Sequence, residues 1–573
     1  MPRHIVRGDH VEEIDGFRRS TFVYRRNQLD TTPDGTVTVT PTTHQIEFKT
    51  DMRPKRTGLM LVGIGGNNGS TLVGALIANR EQMTWRTKQG QQTANYFGSI
   101  TQSTTVPIGW DGERHVHVAL NELLPMVDPS DLIVDGWDIN NANMAEAMRR
   151  AQVFEPDLQR QLEPHLRPLQ PRPSIYYPDF IASNQSDRAN HVLSGHNKQQ
   201  HLELLRRDIR QFRQTHQLES VVVLWTANTE RFADVRPGLN TTADELLASI
   251  KRSDEEISPS QMFAAAALLE QAHFINGSPQ NTITPGVVDL AGRMGVFVGG
   301  DDFKSGQTKL KSALVDFLVS CGLKPEAIIS YNHLGNNDGK NLSQEEQFRS
   351  KEITKSSVID DMVAANHILY PNTTKKPDHV IVIKYAPYVG DSKRAMDEYT
   401  SRIFMNGHNT LAIYNTCEDS LLAAPLMLDL CLLTELFARI TYRRADSRAA
   451  VGNNEFRPLH CVLAPLACLL KAPVVPPGTP VNNALFKQLR FLTKLISACA
   501  GLAADDDLQL EFITNILKMD NRTSETFMDV AGEFVSNGTA NGVVENGISH
   551  QKTTASKMTN GTAVCNGNIT AGH

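Results

Sequence analysis

The chain reads as an α/β protein, with a doubly wound, Rossmann-like parallel-sheet domain followed by an α+β domain. Two observations predict this. Between Gly58 and Gly322, apolar strand-like runs end in small or polar residues and give way to helical patterns, four times over. After Gly322 the strands become isolated, and a charged helical stretch lies between the first two of them. Strand, turn and helix in repetition is the mark of a parallel sheet, because each parallel crossover must be long enough to hold a helix.

The elements follow in order. "GLMLVGIGG" leads to "STLVGALIANR", and "DLIVDGWDIN" to "NANMAEAMRRA". "ESVVVLWTANTE" leads to "TADELLASIKR", and "RMGVFVGGDD" to "GQTKLKSALVDFLVSCG". The later strands are "EAIISYNHLG", "DHVIVIKYAP" and "HNTLAIYNTCED", with the helical "SQEEQFRSKEITKSSVIDDMVAANHIL" between the first two. At 573 residues the chain exceeds the ~250–300 at which a single core stops growing. The expected division is a segment 1–57 that wraps onto the rest, a dinucleotide-binding domain 58–322, an α+β domain 323–440 that carries catalysis and subunit contacts, and a helical return 441–520. Residues 530–573 read as a disordered tail, since their Asn-Gly pairs have no alternating apolar strands around them.

Composition excludes several classes. A formal net charge of -6 gives no reason to expect a nucleic-acid or anionic-membrane partner. The N-terminus has no apolar signal core, and "SLLAAPLMLDLCLLTELFARI" carries Pro425, Asp429 and Glu435, which suits a buried helix better than a membrane span. Seven cysteines show no CxxC spacing and read as reduced thiols of a cytoplasmic protein. His115 and His117 form an H-x-H pair without a third ligand, so no metal is expected.

On a doubly wound sheet, ligands sit outside the carboxyl ends of the strands. The first such turn, "GIGGNNGST", is an irregular phosphate cradle. The usual G-x-G-x-x-G spacing would put a glycine at Asn68, but it comes one place later, at Gly69. No acid stands about 20 residues on; Asp138 or Asp135, at the end of a later strand, is the substitute for a ribose partner. The turns "LWTANTER" and "NGSPQNT" add unusual polar density. In "GGDDFKSGQTK", Ser305 and Thr308 open a helix that could hold a second anion or simply be capped there. Lys351 and Lys355 share a helix face. Lys384 ends an apolar strand and Lys471 follows an apolar helix, positions costly for an ammonium unless it meets a charged ligand.

Taken together, "GIGGNNGST", "GWDIN", "LWTANTER", "NGSPQNT", "GGDDFKSGQTK", "SYNHLGNNDG", "SKEITKSSVIDDM", "VIVIKYAPYVGDSK" and "CEDSLLAAPL" resemble the eukaryotic myo-inositol-1-phosphate synthase family. The resemblance runs from about residue 10 to about 515. It implies cyclisation of glucose 6-phosphate to inositol phosphate: C5 is oxidised at the expense of NAD, C6 is deprotonated and attacks C1, and the cofactor returns the electrons. The resemblance implies roles for Lys351, Lys384, Lys471, Asp302, Asp338 and Asp419 in catalysis, the acids orienting the lysines. It assigns Ser305, Gly306, Gln307, Thr308 and Lys355 to the substrate phosphate. The NAD contacts it implies are Gly65, Gly66, Asn67, Asn68, Asp138, Ser174, Ile175, Gln185, Arg188, Thr226, Ala227, Asn228, Thr229, Gly277 and Ser278. To these it adds Asn336, Asn337, Gly390, Asp391 and Ser420, with Asp302, Ser305, Asp338, Lys351 and Asp419 shared between cofactor and chemistry. A homotetramer in the cytosol is also implied. Two other readings share the motifs: an ordinary NAD-dependent dehydrogenase of a phosphorylated sugar, and an inactive NAD-binding scaffold.

Overall fold

A computed structural model describes residues 6–111, 114–195, 197–371, 376–445 and 455–503. The expected tail at 530–573 and the end of the helical return lie outside the described residues.

A six-stranded parallel sheet organises the larger part of the fold. Its order is Arg172–Pro173, Ile133–Asp138, Thr57–Val62, Ser220–Trp225, His273–Asn276 and Val298–Gly299. The three strands Thr57–Val62, Ser220–Trp225 and His273–Asn276 are buried at every residue, which explains why the first two lie in continuous apolar runs. Alternate side chains enter two cores. Leu59, Leu61, Val222 and Leu224 face one, packed with the helices Asn67–Arg80 and Asp419–Ala438. Met60, Val62, Val221 and Val223 face the other, with Lys198–His216 and Pro259–Leu269.

The sequence reading differs from the structure at two places in this sheet. "NGSPQNT" begins on the last residue of a short strand, His273–Asn276, that the sequence reading did not include. The expected strand before "GGDD" shrinks to Val298–Gly299, and its helix, Gly306–Ser320, packs on the second sheet instead of covering the first.

The second sheet has four strands in the order Asp378–Tyr385, Lys324–Leu334, Ser392–Arg402 and His408–Glu418. Its first pair is parallel and the others antiparallel. Helices Gly306–Ser320 and Glu345–Ser356 cover one face; on the other, Tyr331, Val380, Met396 and Tyr414 are exposed. The chain returns to the first core at Asp419, where the apolar helix Asp419–Ala438 begins. This helix is long and apolar enough to cross a membrane, but it is mostly buried inside the protein. The N-terminal strands Val11–Ile14, Phe17–Thr31 and Val37–Asp51 join Ile440–Arg444 and Arg457–Pro458 in a five-stranded antiparallel sheet.

Candidate active site

The turns singled out by sequence converge at the carboxyl end of the parallel sheet, where the second sheet meets it. Helix Asn67–Arg80 starts directly after the glycine turn, so its first amides lack intrahelical partners and face outward. Gly69 accounts for the irregular spacing: a Cβ there would stand 2.4 Å from the Ile64 carbonyl. The glycine that allows close packing of helix on strand is needed at Gly69, because the turn holds one more residue. Gly65 is closed on its far side by Asp138, whose carboxylate a Cβ would approach to 3.0 Å.

Asp138 ends the neighbouring strand. Its Oδ2 accepts the Gly65 amide at 2.9 Å and its Oδ1 accepts the Asn140 amide at 2.9 Å. Burial raises its pKa, while those amides and the charges of Arg188 and Arg150 oppose the rise. Asp135, the alternative, is instead paired with Arg172 at 2.8 Å. Ser174 and Ile175 follow the edge strand, and Ser174 is bridged to Val192. The half-buried Arg188 has a buried Nε with no partner.

The turn after Ser220–Trp225 is fixed from the second sheet. Asn228 and Asn337 both donate to Gln185 Oε1, at 3.1 and 2.9 Å. The Thr229 amide donates to Asp338 at 2.9 Å. Thr226 receives support from Val62, and the Ser278 hydroxyl donates to the Ala227 carbonyl at 2.8 Å. Gly277 packs on Phe303 so closely that a Cβ would meet its ring. Asn336 caps its own short helix by accepting the Gly339 amide. Asp391, after Gly390, accepts from Asn67 at 2.9 Å and from the Ser420 hydroxyl at 2.6 Å, tying the glycine turn to the start of helix Asp419–Ala438.

NAD fits this mouth. The first amides of helix Asn67–Arg80 have no intrahelical partners, Arg188 keeps a guanidinium nitrogen without a partner, and each Asp138 oxygen keeps a lone pair for a ribose hydroxyl.

Deeper in the cleft, Asp302 stands between two lysines from different elements. Lys351 Nζ lies 3.0 Å and Lys471 Nζ 3.2 Å from the same oxygen, and the Thr354 hydroxyl donates to the other at 2.9 Å. Burial works to raise Asp302, but Lys351 and Lys471 outweigh it and hold the carboxyl at about 2. Burial pulls Lys471 down to about 7, with Asp302 resisting. Lys351 moves the other way, its burial outweighed by the attraction of Asp302 and, through space, Asp338 and Asp419.

Ser305 precedes the helix Gly306–Ser320 without capping it, so capping does not explain the hydroxyl. Thr308 is buried in the first turn of that helix. Gln307 donates to Asp397, and its Oε1 accepts Lys355 at 3.4 Å; Asn332 accepts the same ammonium at 3.2 Å. Burial first, then the charges of Lys393, Lys471, Lys351 and Lys311, lowers Lys355 far below an ordinary lysine.

Two expectations need correction, and one residue was missed. Lys384 is exposed: it pairs with the outward His333, while Asn332 and Ile383 point inward, so strand alternation sends its side chain away from the cleft. The lysine in its place is Lys393, which is buried, with Nζ 3.8 Å from Asp419. Lys393 ends the motif "VIVIKYAPYVGDSK", where sequence reasoning assigned it no role; the signal was there, because Lys393, Ala395, Asp397 and Tyr399 alternate on one face. Among the described residues, Asp338 makes no ion pair with a lysine; it clamps the Thr229 turn and acts on Lys351 only through space.

An NAD-binding family model described as myo-inositol-1-phosphate synthase matches residues 57–496. An inositol-3-phosphate synthase of Dictyostelium discoideum is 55% identical over 507 residues, covering 88% of this chain and 98% of its own. The synthase of Drosophila melanogaster is 55% identical over 502 residues, covering 87% of this chain and 88% of its own. A crystal structure of the inositol-3-phosphate synthase of Caenorhabditis elegans is 58% identical and superimposes with a TM-score of 0.87, covering 90% of this chain and 99% of that one. A related protein of Thermotoga maritima, 19% identical with a TM-score of 0.55 over 78% of this chain and 99% of its own, shares the fold. Sequence likeness over most of the chain and a shared three-dimensional form agree: the chain belongs to the myo-inositol-1-phosphate synthase family.

Proposed function

We propose that this chain closes glucose 6-phosphate to myo-inositol 3-phosphate through a C5 ketone, with no net redox change. The observation that carries the proposal is a cluster of four buried or nearly buried lysines: Lys351 and Lys471 on Asp302, Lys393 beside Asp419, and Lys355, which has no carboxylate partner among the described residues. A simple dehydrogenase needs one acid–base group at one carbinol. A cyclase must stabilise charge at C5, again at C1, and hold a phosphate besides. Four ammonium-bearing side chains against so few acids suit the second task.

The residues at the sheet mouth named above would hold NAD, through the glycine turn, Asp138, Arg188 and the turns at 226–229 and 277–278. When bound, NAD supplies the oxidation of C5 and its later reversal. Lys471, held near neutrality by burial, accepts the C5 hydroxyl proton and gives it back when the ring has closed. Lys351 stays charged beside Asp302 and stabilises the oxyanion that develops on the sugar. Lys393, oriented by Asp419, serves the second oxygen. Ser305, Gly306, Gln307, Thr308 and Lys355 hold the phosphate, whose negative charge favours the protonated form of Lys355.

The exposed apolar face of the second sheet supports the homotetramer, and the free thiols among the described residues support a reducing cytoplasmic location. Incubation with excess glucose 6-phosphate and limiting NAD tests the activity. Inositol phosphate should exceed the NAD supplied many times over. Stoichiometric NADH without inositol phosphate would overturn the proposal in favour of a dehydrogenase.

A further inference from the structure

Behind the phosphate turn lies a charge that the reading above does not use. On helix Gly306–Ser320, Gln307 and Lys311 are four residues apart, so they share a face and stand about 6 Å apart along the axis. Lys311 is 2% exposed. Its Nζ donates to Ser330 Oγ at 2.9 Å and to His379 Nε2 at 2.8 Å. An ammonium has no lone pair, so the His379 nitrogen must be the acceptor and the ring neutral. Burial and the charge of Lys311 both favour that neutral form, holding His379 at about 3.

Among the described residues, no carboxylate lies within ion-pair distance of Lys311. Asp397 acts on it through space, but the two oxygens of Asp397 already receive Gln307 and the Tyr399 hydroxyl. Burial lowers Lys311 to about 8, so it remains largely protonated at neutral pH. A buried ammonium held only by a hydroxyl and an imidazole is costly by itself. Its helix points the cost at one place, the turn that Gln307 and Lys355 line.

We propose that Lys311 is a positioning residue of the phosphate subsite, a fixed positive charge one helical turn behind Gln307 that selects a dianionic phosphate ester over a monoanionic ester of the same shape. The inference rests on the assignment of residues 305–308 and Lys355 to the phosphate. A charge acting through space contributes in proportion to the ligand's charge, whereas a packing role affects both esters alike. At ~8 Å and an effective dielectric of about 40, the effect is about fivefold in affinity per unit of ligand charge.

The test compares competitive inhibition by a hexitol 6-phosphate and the matching hexitol 6-sulfate on the full chain. Lys311→Met should weaken the phosphate ester about 25-fold and the sulfate ester about fivefold. NAD affinity, unchanged, reports an intact fold. Lys311→Arg should restore the preference, and it serves as the deciding variant if Lys311→Met does not fold. An equal loss for both esters in Lys311→Met, or loss of the preference in Lys311→Arg, overturns the proposal. Lys355→Met separates the two levels of inference. If it weakens both esters while Lys311→Met weakens neither, only the role of Lys311 fails. If it weakens neither, the phosphate assignment fails and the inference falls with it.

Discussion

Asp302 joins Lys351 to Lys471, and its charge sets the protonation of both. Lys471, pulled to about 7 by burial, works as a base only when unprotonated, so kcat/KM falls as pH drops through about 7. Removing the neighbouring negative charge disfavours the ammonium. Asp302→Asn is therefore expected to move this acidic limb to lower pH, besides lowering kcat by about 10²–10³, as a pH–rate profile would show. Lys471→Ala should abolish cyclisation and leave NAD affinity intact, because this lysine serves the sugar. A loss of NAD affinity as large as that of a Gly66→Val control would contradict the assignment. Lys471 was legible in the sequence because apolar residues and prolines flank it. The partner of Asp338 was not, because Thr229 lies 109 residues away and only the folded turns bring them together.

Among the elements, the turns were readable and the faces were not. Each turn of the NAD mouth announces itself as glycine or amide residues after a fully apolar strand, which needs only local chemistry. Lys384 and Lys393 lie on different strands of one sheet, and which of them faces the cleft depends on the register of each strand. A shift by one residue exchanges the two faces. Lys384→Ala is accordingly expected to leave turnover within about twofold of wild type, while Lys393→Ala lowers it by about 100-fold or more; steady-state inositol phosphate production distinguishes them. The helix Gly306–Ser320 followed the same logic: its amphipathic pattern was visible, but the sheet it would cover was not. At the glycine turn, Gly65→Val would drive a side chain into Asp138, where a Cβ alone comes within 3.0 Å. The expected outcome is a loss of NAD affinity of at least tenfold, measured by titration of the cofactor's binding.

In the whole molecule, the exposed face bearing Tyr331, Met396 and Tyr414 makes assembly testable. Met396→Glu combined with Tyr414→Glu should lower the mass seen by light scattering from that of the proposed tetramer; an unchanged mass would place any subunit contacts elsewhere. The family match ends at residue 496, so a chain stopped after residue 530 is expected to keep full activity and assembly, as turnover and light scattering would show. The N-terminal segment was legible only as lacking a core. Its strands find their sheet by pairing with Ile440–Arg444, a long-range register that local pattern does not encode. That pairing sets a schedule for synthesis. Thr50 leaves the ribosome roughly 390 residues before its partner Ile440, an interval of about 20–80 s at common elongation rates of about 5–20 residues per second. For that time the strand Val37–Asp51 keeps an open edge, and an open edge is a template for pairing with other chains. Until Ile440 has been made, that edge has no partner in the chain itself.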